Sequence, residues 1–410
     1  MANSPLLYSN SFQYGVLIMH YTEAYNIDDL HRIARSRLPK VCYDFMAEGT
    51  EDNVSLRNNR EVFERIRLQP RTLVGVSHRT QQVTVHGTTF NSPFGIAPTG
   101  AAGLYGFDAD VALARAAAKA GVPFVLSTAS FVPLERITQE VPDGTNWFQL
   151  YMSKELDGAE KLIVRARDAG FEALVVTTDI PVGAAREYNK RNGFEVPFKM
   201  RLGSMIDGAL HPRWMCGVFL RTLLDSGVPR LQNVDSNVGG RIVSKSMADF
   251  RQKRDALNWA DMAWVRSIWP RKLYIKGIMS AADAREAERI GADGVFVSNH
   301  GGRQLDGAVS PMEVLPEVVA AVGGRLVIMA DSGFRRGTDI VKALALGATM
   351  VFVGRATLFG IAAGGEAGAS RALDLLRGEV DRTMGQLGVN RVAEITRECL
   401  VLDEAMFTKM

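Results

Sequence analysis

The run Ser298-Asn299-His300-Gly301-Gly302-Arg303-Gln304-Leu305-Asp306 carries the densest group of chemically able side chains in the chain. It sets an imidazole three residues from a guanidinium, on a loop that two glycines allow to turn tightly. Histidine has the ordinary pKa best suited to a general base near neutrality, and arginine is the natural fork for a carboxylate. A lone histidine after an apolar run is more often structural, so the reading needs support from elsewhere. Asp179, which follows a second apolar run, supplies it: a carboxylate there can orient an imidazole and stabilise its charged form.

Two other places carry charge where charge is costly. Lys276 closes the apolar run Leu273-Tyr274-Ile275, so its ammonium emerges in an enclosed space and needs an anionic partner. Three roles are open to it: a structural ion pair, a Schiff-base amine, or a positive charge that stabilises a reduced flavin. The run Asp331-Ser332-Gly333-Phe334-Arg335-Arg336-Gly337, with Gly354-Arg355 shortly after it, reads as a phosphate site built from backbone N–H groups, an adjacent helix N-terminus and arginines.

From Phe94 onward the chain repeats a short apolar run, a polar or glycine-containing turn and an alanine-rich helical stretch. Strands are expected at 94–98, 124–128, 147–151, 174–178, 273–276, 295–298, 326–330 and 350–353. Helices are expected at 108–120, 155–169, 281–290, 311–322 and 338–346, closed by Gly121, Gly170, Gly291, Gly323 and Gly347 at the C-cap. Eight nearly continuous apolar strands alternating with helices predict an α/β fold, a closed (β/α)8 barrel. An open doubly wound sheet needs a glycine-rich phosphate loop after its first strand, and Pro98-Thr99-Gly100 is not one. In such a barrel, chemistry sits at the C-terminal ends of the strands. Pro98-Thr99-Gly100, Ser127-Thr128, Gln149 and Tyr151, Thr177 and Asp179, Lys276, Ser298, Asp331 and Gly354-Arg355 all fall there. A purely structural barrel has no need of polar groups at nearly every strand end, so the pattern points to an enzyme.

Residues 1–22 carry no pattern, and with Met19 as an alternative start they read as a disordered tail ahead of one domain spanning 23–403. Helices at 27–37, 40–46 and 53–64 and a hairpin near 83–90 form an N-terminal cap over one barrel end. The stretch 183–261 is too long for a βα connection and reads as an insertion after the fourth strand. It mixes Phe198, Met200, Leu202, Met205, Ile206, Trp214, Phe219, Leu220, Leu223 and Leu224 with Lys199, Arg201, Arg213, Arg221 and Arg230. Such a mixture suits either a membrane-surface segment, centred on 199–235, or a lid or subunit contact packed on its own barrel.

With 410 residues, 47% of them hydrophobic, the chain can bury a large core. A net charge of +3 gives no global basic excess, so no nucleic-acid partner is expected. Cys42, Cys216 and Cys399 are odd in number and far apart, which argues against a disulfide framework or a cysteine metal cluster and suits a reducing cytoplasm. No secretory signal or bilayer-spanning run is seen, so a cytoplasmic protein, soluble or peripheral, is expected.

The run 298–306, together with Leu38-Pro39-Lys40, Ala97-Pro98-Thr99, Phe148-Gln149-Leu150-Tyr151, Thr177-Thr178-Asp179 and Arg335-Arg336-Gly337-Thr338-Asp339, resembles the FMN-dependent 2-hydroxy-acid oxidase and dehydrogenase family over about residues 25–403. Ser127-Thr128-Ala129-Ser130, Leu210-His211-Pro212-Arg213-Trp214 and Asp331–337 are similar to its bacterial membrane-associated (S)-mandelate dehydrogenase branch, in which the insertion binds the membrane. The resemblance implies FMN as cofactor, oxidation of a mandelate-like or lactate-like (S)-2-hydroxy acid to the 2-keto acid, and transfer of electrons to a quinone or oxygen. It also implies a homotetramer, on the membrane reading at the cytoplasmic face of the inner membrane.

Residue by residue, the resemblance implies His300 as the base, Asp179 as its partner, Arg303 and Arg186 as carboxylate ligands, and Tyr151 as a donor to the substrate oxygen. It implies Lys276 beside flavin N1 and O2. Pro98, Thr99, Gly100, Ser127, Gln149, Thr177 and Ser298 would line the flavin, and Asp331, Gly333, Arg335, Gly354 and Arg355 its ribityl-phosphate end. One position departs: the family's carboxylate-binding tyrosine is Phe45 here. Tyr43 is no substitute, because two residues along a helix turn it about 200° away. The departure leaves open an FMN-dependent oxidase or isomerase acting on an atypical substrate. Ala129, where glycolate oxidase has tryptophan, implies room for an aromatic or branched substituent.

Overall fold

The chain enters the fold through an amphipathic helix. In α1 (Ile27–Arg37), Ile27, Leu30, Ile33 and Ala34 share one buried face, and the Asn26 side chain caps the first turn by accepting from the Asp29 N–H at 2.9 Å. Leu38, extended before Pro39, ends it. Two further helices, α2 (Lys40–Ala47) and α3 (Val54–Arg65), lead into β1 (Ile66–Leu68), which pairs antiparallel with β12 (Leu400–Leu402). The hairpin β2 (Val83–Val85) and β3 (Thr88–Phe90) follows. This computed structural model describes residues 19–152, 156–194, 202–233 and 254–402.

Eight parallel strands then close into a barrel in chain order: β4 (Phe94–Ile96), β5 (Phe124–Ser127), β6 (Asn146–Leu150), β7 (Ala173–Thr177), β8 (Lys272–Ile278), β9 (Gly294–Val297), β10 (Val327–Ala330) and β11 (Met350–Val353). The ring is completed by β11 pairing with β4. Helices α4 (Ala109–Ala120), α5 (Leu134–Glu140) and α6 (Leu156–Asp168) cover the first strands, and α12 (Ala281–Arg289), α13 (Pro311–Val322), α14 (Gly337–Ala345) and α15 (Arg355–Leu387) the last. The expected (β/α)8 barrel is therefore present. Alternation along each strand sends Phe124, Leu126, Leu174, Val176 and Val295 to the helix layer, while Val125, Trp147, Val175, Tyr274, Phe296, Met329 and Phe352 fill the interior. Val85 and Phe90 of the hairpin join that interior cluster and plug one mouth of the barrel.

Four expectations are corrected. Lys276 lies inside β8 rather than at its end: Gly277, with φ +108°, forms a bulge that carries the strand on to Ile278. Gly121 and Gly323 are C-caps as expected, but Gly291 and Gly347 lie one residue beyond the caps Ile290 and Leu346. The tail is shorter than 1–22: Tyr21–Glu23 form a 3-10 turn, and the Tyr21 ring packs so closely on Gly364 that a Cβ there would lie 2.5 Å from it. The rest of the expected tail, 1–18, is outside the described residues. Finally, the N–H groups of Arg335, Arg336 and Gly337 are already bonded to Asp339 Oδ2 (2.9 and 3.0 Å) and Glu379 Oε2 (2.7 Å), so the N-terminus of α14 is not open to a phosphate.

The insertion between β7 and β8 contains α7 (Glu187–Asn192), α8 (Leu202–Ala209), α9 (Pro212–Trp214), a π-helical turn (Met215–Leu220), α10 (Arg221–Asp225) and α11 (Trp259–Ile268). Trp214 Nε1 donates to the Leu104 carbonyl at 2.7 Å, and Asn233 Oδ1 accepts from the Leu134 N–H at 2.9 Å, so one side docks on its own barrel. The other side is apolar and open to solvent at Leu202, Ile206, Leu210 and Leu224. Phe198, Lys199, Met200 and Arg201 lie outside the described residues.

Candidate active site

Strand parity builds the site. Val125, Trp147, Val175, Tyr274, Phe296 and Met329 point into the barrel. Two residues beyond each, with the same parity, stand Ser127, Gln149, Thr177, Lys276, Ser298 and Asp331, all buried. They bond to one another as a polar layer above the apolar plug. Ser127 Oγ donates to Gln149 Oε1 (3.1 Å) and Gln149 Nε2 to Thr177 Oγ1 (2.9 Å). Lys276 Nζ donates to Ser298 Oγ (2.6 Å) and pairs with Asp331 Oδ2 (2.9 Å). Burial would drive the Lys276 proton off, but Asp331 and Asp179 outweigh it and raise its pKa. A permanently charged ammonium fits the ion-pair and charge-stabilising roles and not the Schiff-base one, which needs a neutral amine.

His300 stands on the loop after β9 in the left-handed region, φ +58°, a conformation costly to a residue with a Cβ. Its backbone N–H is held by Ser298 Oγ at 3.1 Å, and Gly301 N–H by Ser332 Oγ at 2.9 Å, tying this loop to the one after β10. The His300 Nδ1 lies 2.8 Å from Asp179 Oδ1, and Nε2 lies 3.4 Å from the Tyr151 hydroxyl. Asp179 reaches this position because Gly277 has no Cβ; one there would sit 2.6 Å from Asp179 Cβ. Burial opposes ionisation of Asp179, yet His300 and Lys276 outweigh it and hold its pKa below the usual carboxylate value. Burial lowers the His300 pKa, and Asp179 offsets this only in part. At neutral pH an ionised Asp179 therefore accepts Nδ1–H, and Nε2 is left as a bare acceptor facing Tyr151.

Arg303 donates to the carbonyls of Glu48 (2.7 Å) and Phe45 (2.9 Å), and its guanidinium lies 5.3 Å from the centre of the Phe45 ring. Arg186 donates to the Arg303 carbonyl (3.3 and 3.2 Å) and to Gln304 Oε1 (3.1 Å). Both arginines thus converge where α2 ends, beside His300. Tyr43 turns away, as expected, with its hydroxyl 2.7 Å from His31 Nε2. The Phe45 ring packs on Phe194, with centroids 4.6 Å apart. Gly100, on the loop after β4, lies so near the loop after β5 that an added Cβ would stand 3.0 Å from that of Ala129.

Two further arginines make the neighbourhood of Arg303 electropositive. Arg335 is half-buried over the Phe359 ring, 5.4 Å from its centre, and desolvation with the neighbouring Arg60 lowers its pKa to about 10. Burial, Arg303 and Arg335 push Arg355 well below its ordinary value. Among the described residues neither has a carboxylate partner. Half-buried guanidiniums that repel one another attract an anion. Arg355 turns all three guanidinium nitrogens to the carbonyls of Met46 (2.9 Å), Gly301 (2.9 Å) and Glu48 (3.0 Å). What it offers an anion is its charge, beside the start of α15 that Gly354 caps, where the Thr357 N–H is already bonded to the Gly354 carbonyl at 3.1 Å. Gly333 has φ +92°, and a Cβ there would meet the Asn59 carbonyl oxygen at 2.0 Å, so this loop cannot carry a side chain. A phosphate at the Arg335 end and a polar-edged ring against Pro98, Thr99, Ser127, Gln149, Thr177 and Lys276 match this division of charge, so the residues fit FMN.

Some supports were not read from sequence. Asn59 and Asn299 exchange two amide hydrogen bonds of 2.8 Å, and Asp306 accepts from the N–H groups of Asp52, Val54 and Ser55 (3.1, 3.1 and 2.8 Å). These bonds clamp the 298–306 loop to the start of α3. Asp306 lay within the recognised run; the asparagine pair had no local signal.

Residues 34–402 match the family model described as FMN-dependent dehydrogenase. The chain is 44% identical over 377 residues to an (S)-mandelate dehydrogenase of Pseudomonas putida, covering 92% of this chain and 93% of the relative. It is 37% identical over 381 residues to an L-lactate oxidase of a Nostoc species, covering 92% and 98%. Among solved structures, the monotopic membrane protein (S)-mandelate dehydrogenase superposes with a TM-score of 0.86 at 42% identity, over 93% of this chain and all of that one. With the barrel, the polar layer and the electropositive arginines in agreement, the chain belongs to the FMN-dependent dehydrogenase family, with FMN as its cofactor.

Proposed function

We propose that this protein oxidises an (S)-2-hydroxy acid with an aromatic or branched substituent to the 2-keto acid, as a dehydrogenase. The observation that carries the reading is the His300 ring, its Nδ1 2.8 Å from Asp179 Oδ1 and its Nε2 turned to Tyr151, on the loop that also carries Arg303. The substrate carboxylate lies against Arg303 and Arg186, and its hydroxyl carbon lies between Tyr151 and Nε2. His300 takes the hydroxyl or the Cα proton, and Asp179 stabilises the resulting imidazolium. Tyr151 donates to the substrate oxygen. FMN, when bound, takes up the two electrons that leave as the carbonyl forms. Lys276 holds positive charge beside the layer where negative charge develops. The small pair Gly100 and Ala129 and the rings of Phe45 and Phe194 support a bulky apolar substituent.

Anaerobic stopped-flow mixing with (S)-mandelate, (S)-lactate and glycolate, followed by oxygen or a quinone, tests this reading. Bleaching is expected to be fastest with mandelate, and reoxidation faster with the quinone. A flavin that none of the acids reduces would remove the reading in favour of an isomerase or an atypical substrate. Because only neutral His300 can act as base, and its pKa is lowered below 6.5, kcat/KM is expected to be flat through neutral pH and to fall at lower pH, on protonation. An acid limb centred above pH 7 contradicts that assignment.

The solvent-facing leucines of α8 and α10, with Arg213 and Arg221 beside them, support peripheral membrane contact, and we propose the cytoplasmic face of the inner membrane as its site. No helix among the described residues is long and apolar enough to cross a membrane. The intact protein is expected to pellet with anionic lipid vesicles, and a version with 199–235 replaced by a short linker to stay in the supernatant. Equal pelleting of both would place the anchor elsewhere. We also propose a homotetramer, to be read by light scattering.

A further inference from the structure

One buried phenol in this region has no use in the scheme above. The Tyr188 hydroxyl is shielded from solvent and has no hydrogen-bond partner among the described residues. Leaving such a donor unsatisfied is costly, so an orphan of this kind points to an acceptor that arrives with a ligand.

Its position follows from α7. Arg186, which begins that helix, is bonded to the Arg303 carbonyl. Asn192, at its end, donates to Asp44 Oδ2 of α2 at 2.7 Å. Tyr188 is four residues before Asn192, one turn back on the same face, and so faces α2 as well. Just past α7, Phe194 packs on Phe45. The phenol is close enough to Arg355 and to Tyr105 to act on their charges, and Tyr105 also senses Arg303. Arg355 and Arg303 hold the carbonyls at the end of α2. Tyr188 is therefore on the helix that Arg186 begins, near Arg355, and that helix packs on the end of α2, where Arg303 is bonded and Phe45 brings no hydroxyl. The neighbouring guanidiniums cannot accept a hydrogen bond, and their charge favours an anion as the acceptor that arrives.

Building on the function proposed above, we infer that the Tyr188 hydroxyl donates to the carboxylate of the substrate, as a third ligand beside Arg303 and Arg186. It selects for an ionised acid group over a neutral amide or ester.

Tyr188→Phe removes only the hydroxyl. The probes are the hydroxy acid that reduces the wild-type flavin, its neutral amide, and the corresponding acid lacking the hydroxyl group, phenylacetate in the case of mandelate. Binding of the last is read from the change in flavin absorbance, without turnover. The variant is expected to keep its flavin and to bind phenylacetate about ten- to a hundredfold more weakly, the loss of one hydrogen bond to a charged group. KM for the acid should rise in step with little change in kcat, and handling of the amide should stay the same. Unchanged affinity for the acid, or equal weakening for acid and amide, overturns the inference and leaves the proposed function intact. Failure of the wild-type flavin to be reduced by any hydroxy acid is a separate result that overturns the function itself.

Discussion

Replacing His300 with glutamine is expected to leave the protein yellow and folded while slowing flavin reduction by substrate about a hundred- to ten-thousandfold, the range that a positioned general base contributes. Glutamine fills a similar volume, and its amide can donate to Asp179 as Nδ1 does now at 2.8 Å. What it cannot do is take a proton at the place of Nε2. The flavin spectrum and its affinity should hardly change, since His300 is reached from the substrate side of the polar layer. Single-turnover bleaching under nitrogen reads the chemical step directly. Fast bleaching in this variant would move the base elsewhere, and Tyr151, the only other group bonded to His300 Nε2 among the described residues, would be the next candidate.

The second large effect is expected at Lys276. Lys276→Met keeps the length of the side chain and removes its charge, leaving Asp331 buried without the ammonium now 2.9 Å away. Breaking a buried pair by removing one partner costs about 3–5 kcal/mol, because the remaining charge is stranded or must take a proton. The variant should lose stability on that scale in a denaturant titration and release its flavin on gel filtration. Adding Asp331→Asn should recover part of the stability, since the stranded charge is gone, without restoring flavin reduction. A Lys276→Met protein as stable as wild type, with full flavin, would mean that the ammonium carries no weight in the layer.

Much of this architecture was legible because it rests on local periodicity. Apolar runs of four or five residues separated by helices imply a covered parallel sheet, and a one-residue error at a strand end leaves the side-chain parity intact. Ser127, Gln149, Thr177 and Lys276 could therefore be set at the barrel mouth from spacing alone. Glycine was harder to read. Gly277 looks like a strand terminator, but in the folded chain it bends β8 without ending it and lets Asp179 in. Which residue caps a helix likewise depends on how the chain leaves it: Gly323 is the cap of α13, whereas Gly291 and Gly347 lie one residue past the caps of α12 and α14.

By itself, then, the amino-acid sequence determined which side chains face inward and which types of group gather at one end of the barrel, because both follow from a two-residue repeat that needs no distant partner. Only the tertiary structure decided what those groups bond to. Lys276 meets Asp331, Arg303 and Arg355 grip the end of α2 from more than 250 residues away, and Tyr188 is left without an acceptor among the described residues. Such pairings arise when the closed ring of strands brings separate loops over one mouth, and no spacing along the chain encodes that distance.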